Sequence, residues 1–261
     1  MQVQIALAQM NVSRGCPEEN AEAARDLVSR AGSRGADLVV LPELWPTGYD
    51  LDRASNYAAP LDEGAFGIMA EMARTHQVIV AGTALEANPG GLPFNTAAVY
   101  GPKGDRLGAY RKIHLFPLIG ETTHMSPGND LTILTMPWGP TALAICYDLR
   151  FPELWRRHAY AGAVLIVIPA EWPVRRIEHW RLLLRARAVE NQLFVAGCNR
   201  AGGDTDGDFG GYSAVVDPWG QVVVEGGGEP DLLVATLDLD EVARVRDLFP
   251  FLEDQRPEVY G

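Results

Sequence analysis

The feature that most constrains this chain is its repeated alternation of short, continuously apolar runs with longer stretches of helical periodicity. Residues 38–41 (Leu-Val-Val-Leu), 163–168 and 193–198 are such runs. A strand covered on both faces reads this way, and the covering elements are helices. Residues 3–8 predict a first strand. Residues 17–34 predict a helix with Ala21, Ala24, Val28 and Ala31 on one face and Gly35 stopping it. A second helix is expected over 63–77 and a third strand over 78–85. Hairpins follow at 95–100 with 106–111, and at 131–136 with 141–145 around Pro137-Trp138-Gly139-Pro140. Helices at 152–161 and 177–192 flank the later apolar runs. The end is strand-rich, at 213–216, 221–225 and 232–237. The glycine-rich stretch 202–211 reads as a short loop, not a linker. The expectation is one α/β domain over residues 1–261, with mixed sheets inside and helices outside.

Charge and composition exclude several function classes. With 22 basic and 34 acidic residues the formal charge is −12, which disfavours non-specific binding to nucleic acid or membranes. No apolar stretch approaches the ~18 residues of a membrane span, and 1–8 lacks the basic start and long apolar core of a signal peptide. Cys16, Cys146 and Cys198 are an odd, unpaired set, which argues for a reducing compartment; the cytoplasm is the expected location. Metal-ligand spacings such as CxxC and HExxH are missing. Asp204-x-Asp206-x-Asp208 is rejected as a calcium loop, because Phe209 and Val215 stand where glycine and glutamate are needed. There is no phosphate loop and no GxSxG elbow. No metal or other cofactor is implied.

Three reactive side chains share one pattern. Glu43 follows the run 38–41 and Pro42, Lys112 follows 107–111, and Cys146 follows 143–145. The carboxyl ends of strands line the functional crevice in open α/β sheets. If these strands neighbour one another, a carboxylate, an ammonium and a thiol converge. Cys146 stands at an expected strand-to-helix turn, with Pro152 placed to open the helix. A thiolate there is useful as a nucleophile.

The chain resembles the nitrilase superfamily of carbon–nitrogen hydrolases. The resemblance is carried by Leu41-Pro42-Glu43, by Tyr110-Arg111-Lys112-Ile113-His114-Leu115-Phe116 and by Cys146-Tyr147-Asp148-Leu149-Arg150-Phe151-Pro152-Glu153. Arg185 to Gln192 and Gly211-Tyr212-Ser213 match as well. It implies an α-β-β-α sandwich of two mixed sheets flanked by helices, a Glu43–Lys112–Cys146 triad, and a homodimer or larger homo-oligomer. The family pattern also has a second glutamate between lysine and cysteine, and Glu121, six residues before Pro127-Gly128, fits it.

On that resemblance the residue types suggest a chemistry. A free thiol is only a few per cent ionised near pH 7 and needs a base, for which Glu43 is the candidate. The Lys112 ammonium suits a developing oxyanion, helped by the N–H of Tyr147. Glu121 either holds Lys112 or orients the substrate amide. Arg150 has a planar fork suited to a substrate carboxylate, and relatives with Cys-Tyr-Asp-x-Arg-Phe look like amidases of the ω-amidase type; the competing reading is an ion pair with Asp148 or Glu153. Trp172 and Phe116 either wall the pocket or fill the core. His114 is expected to be packed and hydrogen-bonded. Trp180, Leu183, Leu184 and Ala188 are expected in the core or on a dimer face, and Cys16 and Cys198 outside the chemistry. The expected reaction is hydrolysis of a small linear carboxamide to acid and ammonia. N-carbamoyl or nitrile hydrolysis on the same triad, and a non-catalytic binding module of the same fold, are the alternatives.

Overall fold

The computed structural model describes residues 1–204 and 207–260. The first half of the chain runs β1 (Gln2–Gln9), α1 (Pro17–Ser33), β2 (Leu38–Val40), a short α2 (Ala54–Tyr57), α3 (Gly64–His76), β3 (Ile79–Glu86), β4 (Phe94–Tyr100) and β5 (Arg106–Arg111). A one-turn α4 (Glu121–His124) leads to β6 (Ile133–Met136), β7 (Gly139–Leu143), α5 (Pro152–Tyr160), β8 (Leu165–Ala170), α6 (Ile177–Asn191) and β9 (Phe194–Asn199). The chain then forms β10 (Ala201–Asp204), β11 (Gly207–Gly210), β12 (Ala214–Val216), β13 (Val222–Glu225), β14 (Asp231–Asp238) and α7 (Glu241–Leu248).

Two six-stranded mixed sheets result, in the orders β14-β1-β2-β3-β4-β5 and β13-β12-β9-β8-β7-β6. The parallel pairs are β1 with β2, β2 with β3, β7 with β8 and β8 with β9; these need crossovers, which the helices supply. Strand alternation decides which layer each residue joins. In β1, Val3, Ile5 and Leu7 enter the core shared with Ile166, Val195 and Val215 of the other sheet. Ala6 and Ala8 face the opposite way, against Ala24, Val28 and Ala31 of α1 and Phe66 and Met69 of α3. On the far side, Trp155 of α5 and Trp180, Leu184 and Ala188 of α6 complete the first core. The layers are therefore helix, sheet, sheet, helix, the expected sandwich. No helix among the described residues is long and apolar enough to cross a membrane.

Two expectations need correction. Stretch 202–211 is not a plain loop: β10 and β11 pair there as an antiparallel ribbon. Gly and Asp are poor strand formers, so propensity hid it; tertiary anchors override that, with the Ala201 N–H donating to Met10 O at 3.0 Å and Phe209 bridging to Pro173. Asp206 of the rejected calcium loop lies outside the described residues. The second correction is that the three strands preceding Glu43, Lys112 and Cys146 do not neighbour one another. β2 and β5 are separated by β3 and β4, and β7 belongs to the other sheet. Their ends meet across the sandwich.

Candidate active site

Each reactive group sits just beyond the end of a strand. β2 ends at Val40, and the Leu41 N–H still donates to Ala81 O at 2.8 Å, which carries Pro42 and Glu43 to the carboxyl end of the strands. Lys112 continues β5, with its N–H on Asn95 O at 2.9 Å and its carbonyl held by the Gly128 N–H at 2.8 Å. Cys146 opens a 3-10 turn, Cys146–Arg150, with φ +42°. A non-glycine residue in left-handed backbone is strained, and such strain persists only where the surroundings hold it. Asp148 is the holder. Its carboxylate accepts from the Ile145 N–H at 2.9 Å, the Tyr110 hydroxyl at 2.7 Å and the His114 N–H at 3.1 Å. His114 also contacts Asp148 Oδ1 through Nδ1 at 2.8 Å and stacks on Phe151 with centroids 3.7 Å apart. It is packed and hydrogen-bonded, as expected.

The buried ions form one chain. Lys112 Nζ donates to Glu43 Oε1 and to Glu121 Oε1, both at 2.7 Å, and the side chains of all three are 0% exposed. Glu121 Oε2 accepts from the Phe116 N–H at 2.6 Å. Glu43 takes three further donors: Asn95 Nδ2 at 2.9 Å on Oε1, and the Tyr49 hydroxyl at 2.8 Å and the Glu171 N–H at 3.1 Å on Oε2. The Cys146 thiol lies close enough to Glu43 to feel its charge.

Electrostatics follow from this packing. Burial pushes Lys112 down, yet the carboxylates of Glu121 and Glu43 outweigh it and hold the ammonium above its ordinary range. Burial pushes the Cys146 thiol well up, and Glu43 adds to that more than Lys112 relieves it. Burial also raises Glu121, with Lys112 opposing. These influences favour the protonated thiol, and Glu43 lies beside it to receive the proton. A pre-formed thiolate is disfavoured; a base-assisted attack is what this arrangement can do.

The thiol opens onto a cavity of about 660 Å³ whose walls include Tyr49, Phe116, Cys146, Tyr147, Arg150 and Trp172. All four side chains expected around the substrate are thus on one cavity. Phe116 and Tyr147 pack together at 4.8 Å between centroids. Trp172 is 2% exposed and donates through Nε1 to Arg176 O at 2.7 Å. Arg150 lies over the Trp172 ring at 4.7 Å and touches His179 Nδ1 at 3.4 Å. It makes no ion pair with Asp148, whose oxygens are already taken, nor with Glu153, among the described residues. Burial, then the like charge of Arg176, pull its pKa below the ordinary value, so its charge is under-compensated. Of the other cysteines, Cys198 is buried in the core and Cys16 is exposed, and neither lines this cavity.

Sequence reading missed Tyr49, Asn95, Glu171 and Arg176. Tyr49 follows Glu43 by six residues in a Pro-Thr-Gly loop that carries no motif. Asn95 and Glu171 reach Glu43 from 52 and 128 residues away, so no local signal could have announced them. Arg176 sits beside Arg175 and looks like a solvated pair.

This is a sandwich with a thiol, an ammonium and two carboxylates at the meeting point of its sheets. Residues 4–247 match the carbon–nitrogen hydrolase family model. The chain belongs to that family, within the nitrilase superfamily, and is an enzyme of carbon–nitrogen hydrolysis. It is 38% identical to a 2-oxoglutaramate amidase of Bacillus subtilis (strain 168), over 98% of each chain. It is 34% identical to an omega-amidase of Mus musculus, over 98% of this chain and 96% of that one. Among solved structures, a point mutant of the amidase from Nesterenkonia sp. AN1, showing the result of Michael addition of acrylamide at its active-site cysteine, superposes with TM-score 0.87 at 29% identity, covering 99% of this chain and 98% of that one.

Proposed function

We propose that this enzyme hydrolyses a small linear carboxamide carrying a carboxylate at its far end, through a Cys146 thioester. As Cys146 Sγ bonds to the amide carbon, its proton passes to Glu43. The carbonyl oxygen becomes an oxyanion facing Lys112 Nζ and the Tyr147 N–H, which lies in the first turn of the 3-10 segment where N–H groups lack intrahelical partners. Glu43 returns the proton to the departing nitrogen and ammonia leaves. It then takes a proton from water, which attacks the thioester carbonyl; the acid is released and the thiol restored. Glu121 holds Lys112 in place. This role is supported by its two oxygens being engaged by Lys112 and the Phe116 N–H.

The observation that carries the reading is the Lys112 ammonium bonded to both glutamates beside Cys146 at a cavity wall. The under-compensated Arg150, with Arg176 beside it, supports the carboxylate; so does the likeness to a 2-oxoglutaramate amidase. A homodimer or larger homo-oligomer in the cytoplasm completes the reading. The test is ammonia release from amides, N-carbamoyl compounds and nitriles, with Cys146→Ala as control and the oligomer read by light scattering. Release from acidic amides, lost in the variant, is the expected result. Preference for a carbamoyl compound or nitrile would move the substrate class. Silence across the panel would point to a binding module.

A further inference from the structure

Glu43 has more donors than a proton acceptor can keep. An ionised carboxylate offers about four acceptor sites. Lys112 Nζ and Asn95 Nδ2 occupy Oε1, while the Tyr49 hydroxyl and the Glu171 N–H occupy Oε2, all within 3.1 Å. When Glu43 accepts the thiol proton, one site is consumed and one donor has to turn away. Three of the four are fixed. Lys112 is stretched between Glu43 and Glu121. The Glu171 N–H is backbone. Asn95 is 0% exposed within β4. The Tyr49 hydroxyl differs, because it swings about a single C–O bond and can accept as well as donate. Tyr49 also lines the cavity, so a released O–H has open space to face.

We propose that Tyr49 is the switchable donor of this site, a positioning residue that stabilises ionised Glu43 and turns its hydroxyl away when the proton arrives. The proposal rests on the reading of Glu43 as the base. Balance is simple: the Cys146 S–H bond breaks, a Glu43 O–H bond forms, and the Tyr49 O–H rotates without losing its proton. Burial, then the neighbouring Glu43, Glu121 and Glu171, keep the phenol protonated. Lys112 is the cation beside Glu43, and its charge persists throughout.

The test is the pH profile of kcat/KM for ammonia release by Tyr49→Phe. Removing a donor disfavours the ionised carboxylate, so the acid limb moves to higher pH, by about one unit for a hydrogen bond to a charged group. KM at the plateau changes less than threefold. A ring-fluorinated tyrosine placed at position 49 donates more strongly and moves the limb the other way, which gives an independent reading should the phenylalanine variant fold poorly. An unmoved limb in both, with activity lowered evenly at every pH, would mean that Tyr49 only packs and would overturn the proposal. Glu43→Gln separates this from the larger reading. If that variant keeps the wild-type limb, Glu43 is not the base and both fall; if the limb is lost there yet unmoved at position 49, only Tyr49's role falls.

Discussion

The Arg150 guanidinium lies over the Trp172 ring at the cavity wall, its carbon 4.7 Å from the ring centroid. The ring face holds the cation in place while leaving its in-plane N–H groups free of a carboxylate partner. Replacing Arg150 with Met is expected to lower kcat/KM on an amide with a distal carboxylate about 100-fold. A neutral amide of equal length should change less than threefold. Equal losses on both substrates would show that Arg150 serves the fold and not the substrate.

Glu121 bears on both the ammonium and the thiol. In Glu121→Gln, Lys112 loses one of its two counter-charges. Cys146 loses one of the negative charges that raise it. Two readouts should therefore move in opposite senses. Alkylation of Cys146 by iodoacetamide should reach half its maximal rate at lower pH. Ammonia release should fall about 100-fold, the scale of a lost electrostatic contact to the transition state. Parallel changes would argue against this coupling.

Gly128 explains why a Pro-Gly pair stands behind the lysine. A Cβ there would lie 2.2 Å from the Arg111 carbonyl oxygen, and its N–H already holds the Lys112 carbonyl. Gly128→Ala must push β5's end, and Lys112 with it, away from Glu43. A loss of about 1–3 kcal/mol in a urea melt is expected, together with a fall in kcat. Wild-type stability and activity would mean that the loop yields without moving the lysine.

His158 should give the fold an acid sensitivity unrelated to catalysis. It is 0% exposed within α5. Burial lowers its pKa from 6.5 to about 4, with Asp148 pulling the other way. The unfolded chain therefore binds this proton at higher pH than the fold does. Its contribution is complete above pH 6.5 and is lost as pH falls to about 4, by up to about 3 kcal/mol. Urea midpoints of His158→Gln should be flatter over that window than those of the natural protein. An identical slope in both would remove His158 as the cause.

Much of this molecule was legible before its coordinates. The helix positions Ala21, Ala24, Val28 and Ala31 are all buried in α1, together with Asn20 and Leu27, because a 3.6-residue period is a direct consequence of one covered face. The motif around Cys146 foretold a strand, a tight turn and a helix opened by Pro152, and the chain makes them. The β10–β11 ribbon was not legible, since its glycines and aspartates form strands only where Met10 and Pro173 supply partners.

The sequence by itself determined the chemical inventory: a thiol, an ammonium and two carboxylates, each just past an apolar run or within a motif, on a scaffold of alternating strands and helices. Local pattern carries that information, because period and turn chemistry depend on near neighbours. Only the tertiary structure decided how the inventory is wired. It brought β2, β5 and β7 together across two sheets instead of within one. It gave Glu43 donors from Asn95 and Glu171, and left Arg150 without a carboxylate. Contacts between residues 52 or 128 positions apart arise from layer packing, and no short window of sequence contains them.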